Sequence, residues 1–109
     1  MAYYIVIPAA LAIALGGSLV SDPCRAQSAA SEGHEIAQKT CAVCHVIEPN
    51  GSGSWTDAPS FESVANRPGM TQQWLADFVQ KPHMHMVTDQ YTPAQANAIA
   101  AFILSQHHK

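Results

Sequence analysis

Cys41-Ala42-Val43-Cys44-His45 is the stretch on which the reading of this chain turns. Two cysteines three positions apart on a tight helical turn put both thiols on one side, within reach of two vinyl groups of one porphyrin. The histidine that follows aims an imidazole nitrogen at the iron. The C-x-x-C-H pattern therefore predicts covalent haem attachment. A bare C-x-x-C has other uses, as half of a zinc site or as a thiol-disulfide redox pair. Zinc needs two further ligands, for which His83 and His85 are available; the redox pair needs a βαβ context that the sequence lacks. The adjacent histidine, the helical pattern of the chain and its N-terminus favour haem over both.

Outward from the motif, every periodic segment is helical. Ser31 is the expected N-cap of a helix from about Glu32 to Cys41, with Glu32 and Glu35 in the first turn where they suit the helix dipole. Gln27 to Ala30 reads as a disordered leader, and Pro49-Asn50-Gly51-Ser52-Gly53-Ser54 as a turn. Ala58-Pro59-Ser60-Phe61 starts a short helix through Ala65 that Arg67-Pro68-Gly69 ends. Thr71 caps a helix carrying Trp74, Leu75, Phe78 and Val79 on one face, with Trp74, Leu75 and Phe78 expected as core residues, and Lys81-Pro82 stops it. Thr92 caps the last helix, with Pro93 at its first position and Ile99, Phe102 and Ile103 along its buried side. No run alternates as a strand does, and there is no internal repeat. The expected fold is all-α, three to five helices around one covalent haem. A domain of about 80 residues is near the size where a hydrophobic core alone is marginal, so a large apolar group would supply missing core.

The N-terminus points to export. Tyr3 to Val20 is almost wholly apolar, and small residues flank a cut after Ala26, so residues 1–26 read as a signal peptide and 27–109 as the domain. No Lys or Arg precedes the apolar run, and about 18 apolar residues just span a bilayer, so a retained membrane anchor is the alternative. Cleavage would remove Cys24 and leave the two motif cysteines; a lipidated Cys24 is disfavoured by Ser21-Asp22-Pro23 before it. The 109 residues carry a net charge of −3, which argues against nucleic acid. Residues 27–109 have four basic side chains (Lys39, Arg67, Lys81, Lys109) against seven acidic ones, too few for a steering ring of lysines.

From Gly33 onward the chain resembles the class I monohaem cytochrome c family. Gly33, eight positions before Cys41, matches the small residue of the family's N-terminal helix, and Phe102 the aromatic of the C-terminal helix packed against it. Ala58-Pro59-Ser60-Phe61 is similar to the proline segment on the histidine side. The resemblance implies that the Pro59 carbonyl accepts a hydrogen bond from the second ring nitrogen of His45. It also implies a methionine on the other face of the iron, from the irregular segment before the last helix. Met86 lies six positions before Thr92, as the family's ligand does, and is the expected one; Met84, His85 and His83 are the alternatives. Trp55 is a candidate haem contact through its indole, and Arg67 a candidate propionate partner. Met70 is expected to line the pocket or the surface; His34, His107 and His108 are expected at the surface.

The function implied is not enzymatic: one haem c per chain, passing single electrons between redox partner proteins in the periplasm, either respiratory complexes or periplasmic oxidoreductases. Membrane contact is expected only if the N-terminal segment is retained. The alternative is a haem-based gas binder or sensor with a displaceable sixth ligand. No Ser-His-Asp set, carboxylate pair or phosphate loop supports a hydrolase or transferase.

Overall fold

Pro93 opens the helix around which the others pack. A computed structural model describes residues 22–52, 56–82 and 91–108. Among these there are four helices and no strand: α1 (Pro23–Thr40), α2 (Phe61–Ala65), α3 (Gln72–Val79) and α4 (Pro93–Leu104). α4 touches each of the other three, and its crossing with α1 is the largest interface. Ala96, Ala98 and Ala100 are buried with Ile99, Phe102 and Ile103, so both sides of α4 are covered. Small side chains at three of those positions let neighbouring helices come close.

Thr92 begins α4 as expected, with a full capping box. Its hydroxyl accepts from the Gln95 N–H at 3.2 Å, and the Gln95 side-chain oxygen accepts from the Thr92 N–H at 2.9 Å. Thr92→Ala removes the first of these bonds. The expected loss is about 1 kcal/mol, read as a melting point lower by about 5 °C with the haem spectrum unchanged.

α1 departs from the expected start. It begins nine residues earlier than Glu32, capped not by Ser31 but by Asp22, whose carboxylate accepts from the Cys24 N–H at 3.3 Å. Pro23 occupies the first turn, where its fixed φ suits a helix and its missing N–H is no loss. Nothing between Arg25 and Ala30 breaks a helix, and Ala and Gln are good helix formers, so the expected leader 27–30 is helical. At the other end Cys41 lies just outside the helix as its C-cap, its N–H bonded to the Ala37 carbonyl at 2.8 Å.

Of α1 only Gly33 and Ala37 are buried. A Cβ at Gly33 would lie 2.0 Å from the Ala98 carbonyl oxygen and 2.9 Å from the Ile99 nitrogen. Backbone meets backbone there, one turn earlier on α4 than Phe102. Phe102 instead faces the rings of His34 (centroids 4.9 Å apart) and Phe61 (6.0 Å). His34, expected at the surface, is thus half-buried and paired with Glu48.

α2 and α3 begin at the expected caps, Ser60 and Thr71. Gly69, at φ 78°, makes the turn between them in a conformation that side chains resist. The α3 stripe divides. Leu75 and Ala76 are buried in the core, whereas Trp74 and Phe78 stay 46% and 39% exposed, stacked 5.1 Å apart with planes 11° from parallel. Both line the cavity described below, so they are wall residues there and not part of the buried protein core. The tail is stitched back to the domain: buried Gln106 donates to the Ile47 carbonyl at 2.6 Å, and Asn66 takes the His108 N–H at 2.9 Å.

Candidate functional site

The end of α1 flows directly into the motif. The Cys41 carbonyl accepts from both the Cys44 N–H (3.0 Å) and the His45 N–H (2.9 Å), closing the chain into one tight turn. That turn keeps Cys41, Cys44 and His45 together, as the spacing predicts. The Thr56 hydroxyl donates to the Cys44 carbonyl, and the Phe61 N–H to the Val46 carbonyl at 2.9 Å. The segment after the motif is thereby clamped to the start of α2.

Histidine 45 is held from behind. Its Nδ1 lies 2.7 Å from the Pro59 carbonyl oxygen. A carbonyl can only accept, so Nδ1 carries the proton and Nε2 keeps its lone pair for a metal. The ring also packs on Phe61, centroids 5.5 Å apart. Through Phe61 and Phe102 the imidazole is joined to the α1–α4 crossing.

Cys41, His45, Pro59 and Arg67 all line one cavity of about 320 Å³, within the range of cofactor sites. Phe61, Val64, Leu75, Ile99 and Ile103 are among its apolar walls, to which Trp74, Phe78 and Tyr91 also contribute. Arg67 is exposed there and Cys41 is buried. Cys44 is half-buried and is not among the lining residues. Burial pushes the Cys41 thiol above its ordinary pKa, while hydrogen bonds with Thr40 and Tyr91 pull the other way and Cys44 adds to the rise. Two thiols, a tautomer-fixed imidazole, an apolar slot and an arginine are the donor set and environment that an iron porphyrin with two propionates requires. The residues present fit that group.

Met86, Met84, His85, His83 and Trp55 lie outside the described residues. Two contributors were not foreseen from the sequence, Tyr91 in the cavity wall and Thr40 behind Cys41, joined by a hydrogen bond of 2.8 Å. No periodicity marks them; a lone tyrosine before a helix cap carries no signal of its own.

Comparison with known proteins agrees with this geometry. The family described as cytochrome c oxidase, cbb3-type, subunit III matches residues 28–103. Cytochrome c-552 of Bradyrhizobium diazoefficiens is 38% identical over 74 residues, which cover 68% of this chain and 71% of that protein. No solved structure matches.

Proposed function

The chain belongs to the cbb3-type subunit III family of c-type cytochromes and is a monohaem, haem-based electron-transfer protein, and from that premise we propose how its own residues hold the group and where it works. Cys41 and Cys44 form the two thioethers, and His45 ligates the iron through Nε2. The observation that carries this reading is the Pro59 carbonyl on His45 Nδ1, at the edge of an apolar cavity that also contains Cys41. That bond fixes the tautomer and raises the basicity of the other nitrogen. The bound haem iron supplies a one-electron couple. The protein's part is to hold the imidazole still, to exclude water with Leu75, Ile99 and Ile103, and to place Arg67 against a propionate.

Met86 completes the coordination in this proposal, with Met84, His85 and His83 as its competitors. A thioether ligand raises the reduction potential relative to a second imidazole. Met86→Ala is expected to abolish the sulfur-to-ferric-iron charge-transfer band while the haem stays attached. A band that survives assigns the ligand elsewhere. Titration of the wild-type protein tests the function itself. A reversible one-electron wave with low-spin, six-coordinate spectra in both oxidation states is expected of a carrier that is not an enzyme. Carbon monoxide binding to the native ferrous protein would replace this reading with a gas binder.

The site of action is the periplasm, where residues 1–26 direct the chain. Among the described residues no helix is long and apolar enough to cross a membrane. Cleavage after Ala26 would take Asp22 and the first turn of α1 but leave Gly33 and Ala37, the residues that α1 buries. The partners proposed are redox proteins of a respiratory chain. With a net charge of −3, docking relies on exposed apolar groups such as Val43, which is 60% exposed, and is expected to depend weakly on salt.

A further inference from the structure

The chain leaving His45 is tied to a different element at each of its next residues. The Val46 carbonyl accepts from the Phe61 N–H of α2 at 2.9 Å, and the Ile47 carbonyl from the Gln106 side chain at 2.6 Å. The Glu48 carboxylate pairs with His34 of α1. Gln106 lies just beyond α4, its own N–H still bonded to the Ile103 carbonyl at 3.1 Å. It is 6% exposed, and its Oε1 is buried with no hydrogen-bond partner among the described residues. Only the amide N–H can face a carbonyl, so the contact with Ile47 fixes which way this side chain points. An apolar side chain of the same length would spare the fold an orphaned acceptor. What glutamine adds at this position is therefore its donor to Ile47.

The same residue also holds the other side of the ligand's clamp. Its backbone carbonyl accepts from the Asn66 side chain at 3.3 Å, and Asn66 is the C-cap of α2, the helix into which Pro59 and Ser60 lead. Gln106 thus grips two arms of the chain. One carries His45 and continues to Ile47; the other runs from Pro59 through α2. Between these arms the His45 Nδ1–H donates to the Pro59 carbonyl and the Phe61 N–H to the Val46 carbonyl.

We propose that Gln106 is a positioning residue for the iron ligand: by holding Ile47 with its side chain and Asn66 with its carbonyl, it fixes the spacing of the two arms and keeps the His45–Pro59 hydrogen bond closed. The proposal rests on the assignment of His45 as the ligand through Nε2. A hydrogen bond at the ring's other nitrogen raises ligand basicity only while donor and acceptor stay aligned. Pro59 supplies the acceptor but nothing that sets its distance from the ring. With the Ile47 tie gone, the arm that carries His45 shifts against α2 and the Nδ1 bond opens more often. The imidazole then becomes a weaker donor, which stabilises ferric iron less and raises the reduction potential.

The test uses full-length ferrous holoprotein, whose low-spin iron is diamagnetic, so that exchange of individual N–H groups into deuterated water is read by NMR. Gln106→Met keeps the length and the packing, removes the donor to Ile47 and leaves the backbone carbonyl for Asn66. Exchange of the His45 Nδ1–H and the Phe61 N–H should quicken about tenfold, the factor that one lost hydrogen bond supplies. The Leu75 N–H, bonded to the Thr71 carbonyl in α3, should stay within about twofold of wild type, and the reduction potential should rise. Equal acceleration at Leu75 would make Gln106 a general contributor to stability and overturn the proposal, as would an unchanged Nδ1–H. If Gln106→Met does not mature with haem, wild-type protein decides. The Gln106 side-chain amide should then be as well protected as the His45 Nδ1–H. Protection lower by about tenfold or more would show that the clamp stays closed with the Ile47 bond open, and the proposal fails. A wild-type low-spin spectrum in His45→Ala would instead overturn the ligand assignment on which it rests.

Discussion

Gly33→Ala is expected to lower the melting point of the holoprotein by about 15 °C. The added Cβ would lie 2.0 Å from the Ala98 carbonyl oxygen and 2.4 Å from its carbon. Neither atom belongs to a side chain that can rotate away, so α1 and α4 must move apart along their whole crossing. That crossing is the largest helix contact and carries the Phe102 contacts with His34 and Phe61. Overpacking typically costs about 1–3 kcal/mol and occasionally more; a backbone-on-backbone contact of 2.0 Å lies beyond the usual range, at about 3–4 kcal/mol, and the gain of about 1 kcal/mol from replacing a helical glycine offsets only part of it. With a net loss of about 2–3 kcal/mol, a small domain melts about 4–8 °C lower for each kcal/mol. Since Phe61 also packs on the His45 ring, the disturbance should extend to the haem spectrum. A variant that melts within about 3 °C of wild type would mean that the two backbones do not approach so closely.

How much of this was legible depended on whether the information was local. Thr92, Thr71 and Ser60 announce helix starts because a cap is a chemical event within three residues, and all three cap where expected. Cys41, Cys44 and His45 were legible because their spacing is itself the geometry. Asp22-Pro23 was an equally local signal, masked by its place after an apolar leader, and it starts α1 nine residues earlier than Ser31 suggested. Trp74 and Phe78 illustrate the limit of periodicity: a helical stripe shows which residues share a face, not whether that face meets the protein core or lines a cavity. Tyr91 and Thr40 lie beyond local reading altogether. Their hydrogen bond spans 51 positions, and nothing in either neighbourhood names the other. Gln106 is similar, a polar residue buried because a carbonyl 59 positions away requires its amide.

His45→Ala should have the largest effect on the site, and its contrast with Pro59→Ala separates ligand from support. With the imidazole gone, Cys41 and Cys44 remain to anchor the group, but nothing on this side of the cavity donates to iron. The fraction of low-spin, six-coordinate haem is expected to fall by more than about tenfold, beyond the usual cost of losing only a partner of a ligand. Imidazole added to the solution should restore much of the low-spin spectrum by entering the space the ring has left. Pro59→Ala is a different kind of change, because the group that bonds His45 Nδ1 is the residue-59 carbonyl, which any residue supplies. The alanine variant keeps that acceptor and loses only the ring that restricts φ, an effect of about 1 kcal/mol on stability. Its haem spectrum should therefore match wild type while its melting point falls by about 5 °C. If His45→Ala instead kept a wild-type low-spin spectrum without added imidazole, His45 would not be the ligand. The hydrogen bond to Pro59 would then position a ring with no metal to serve.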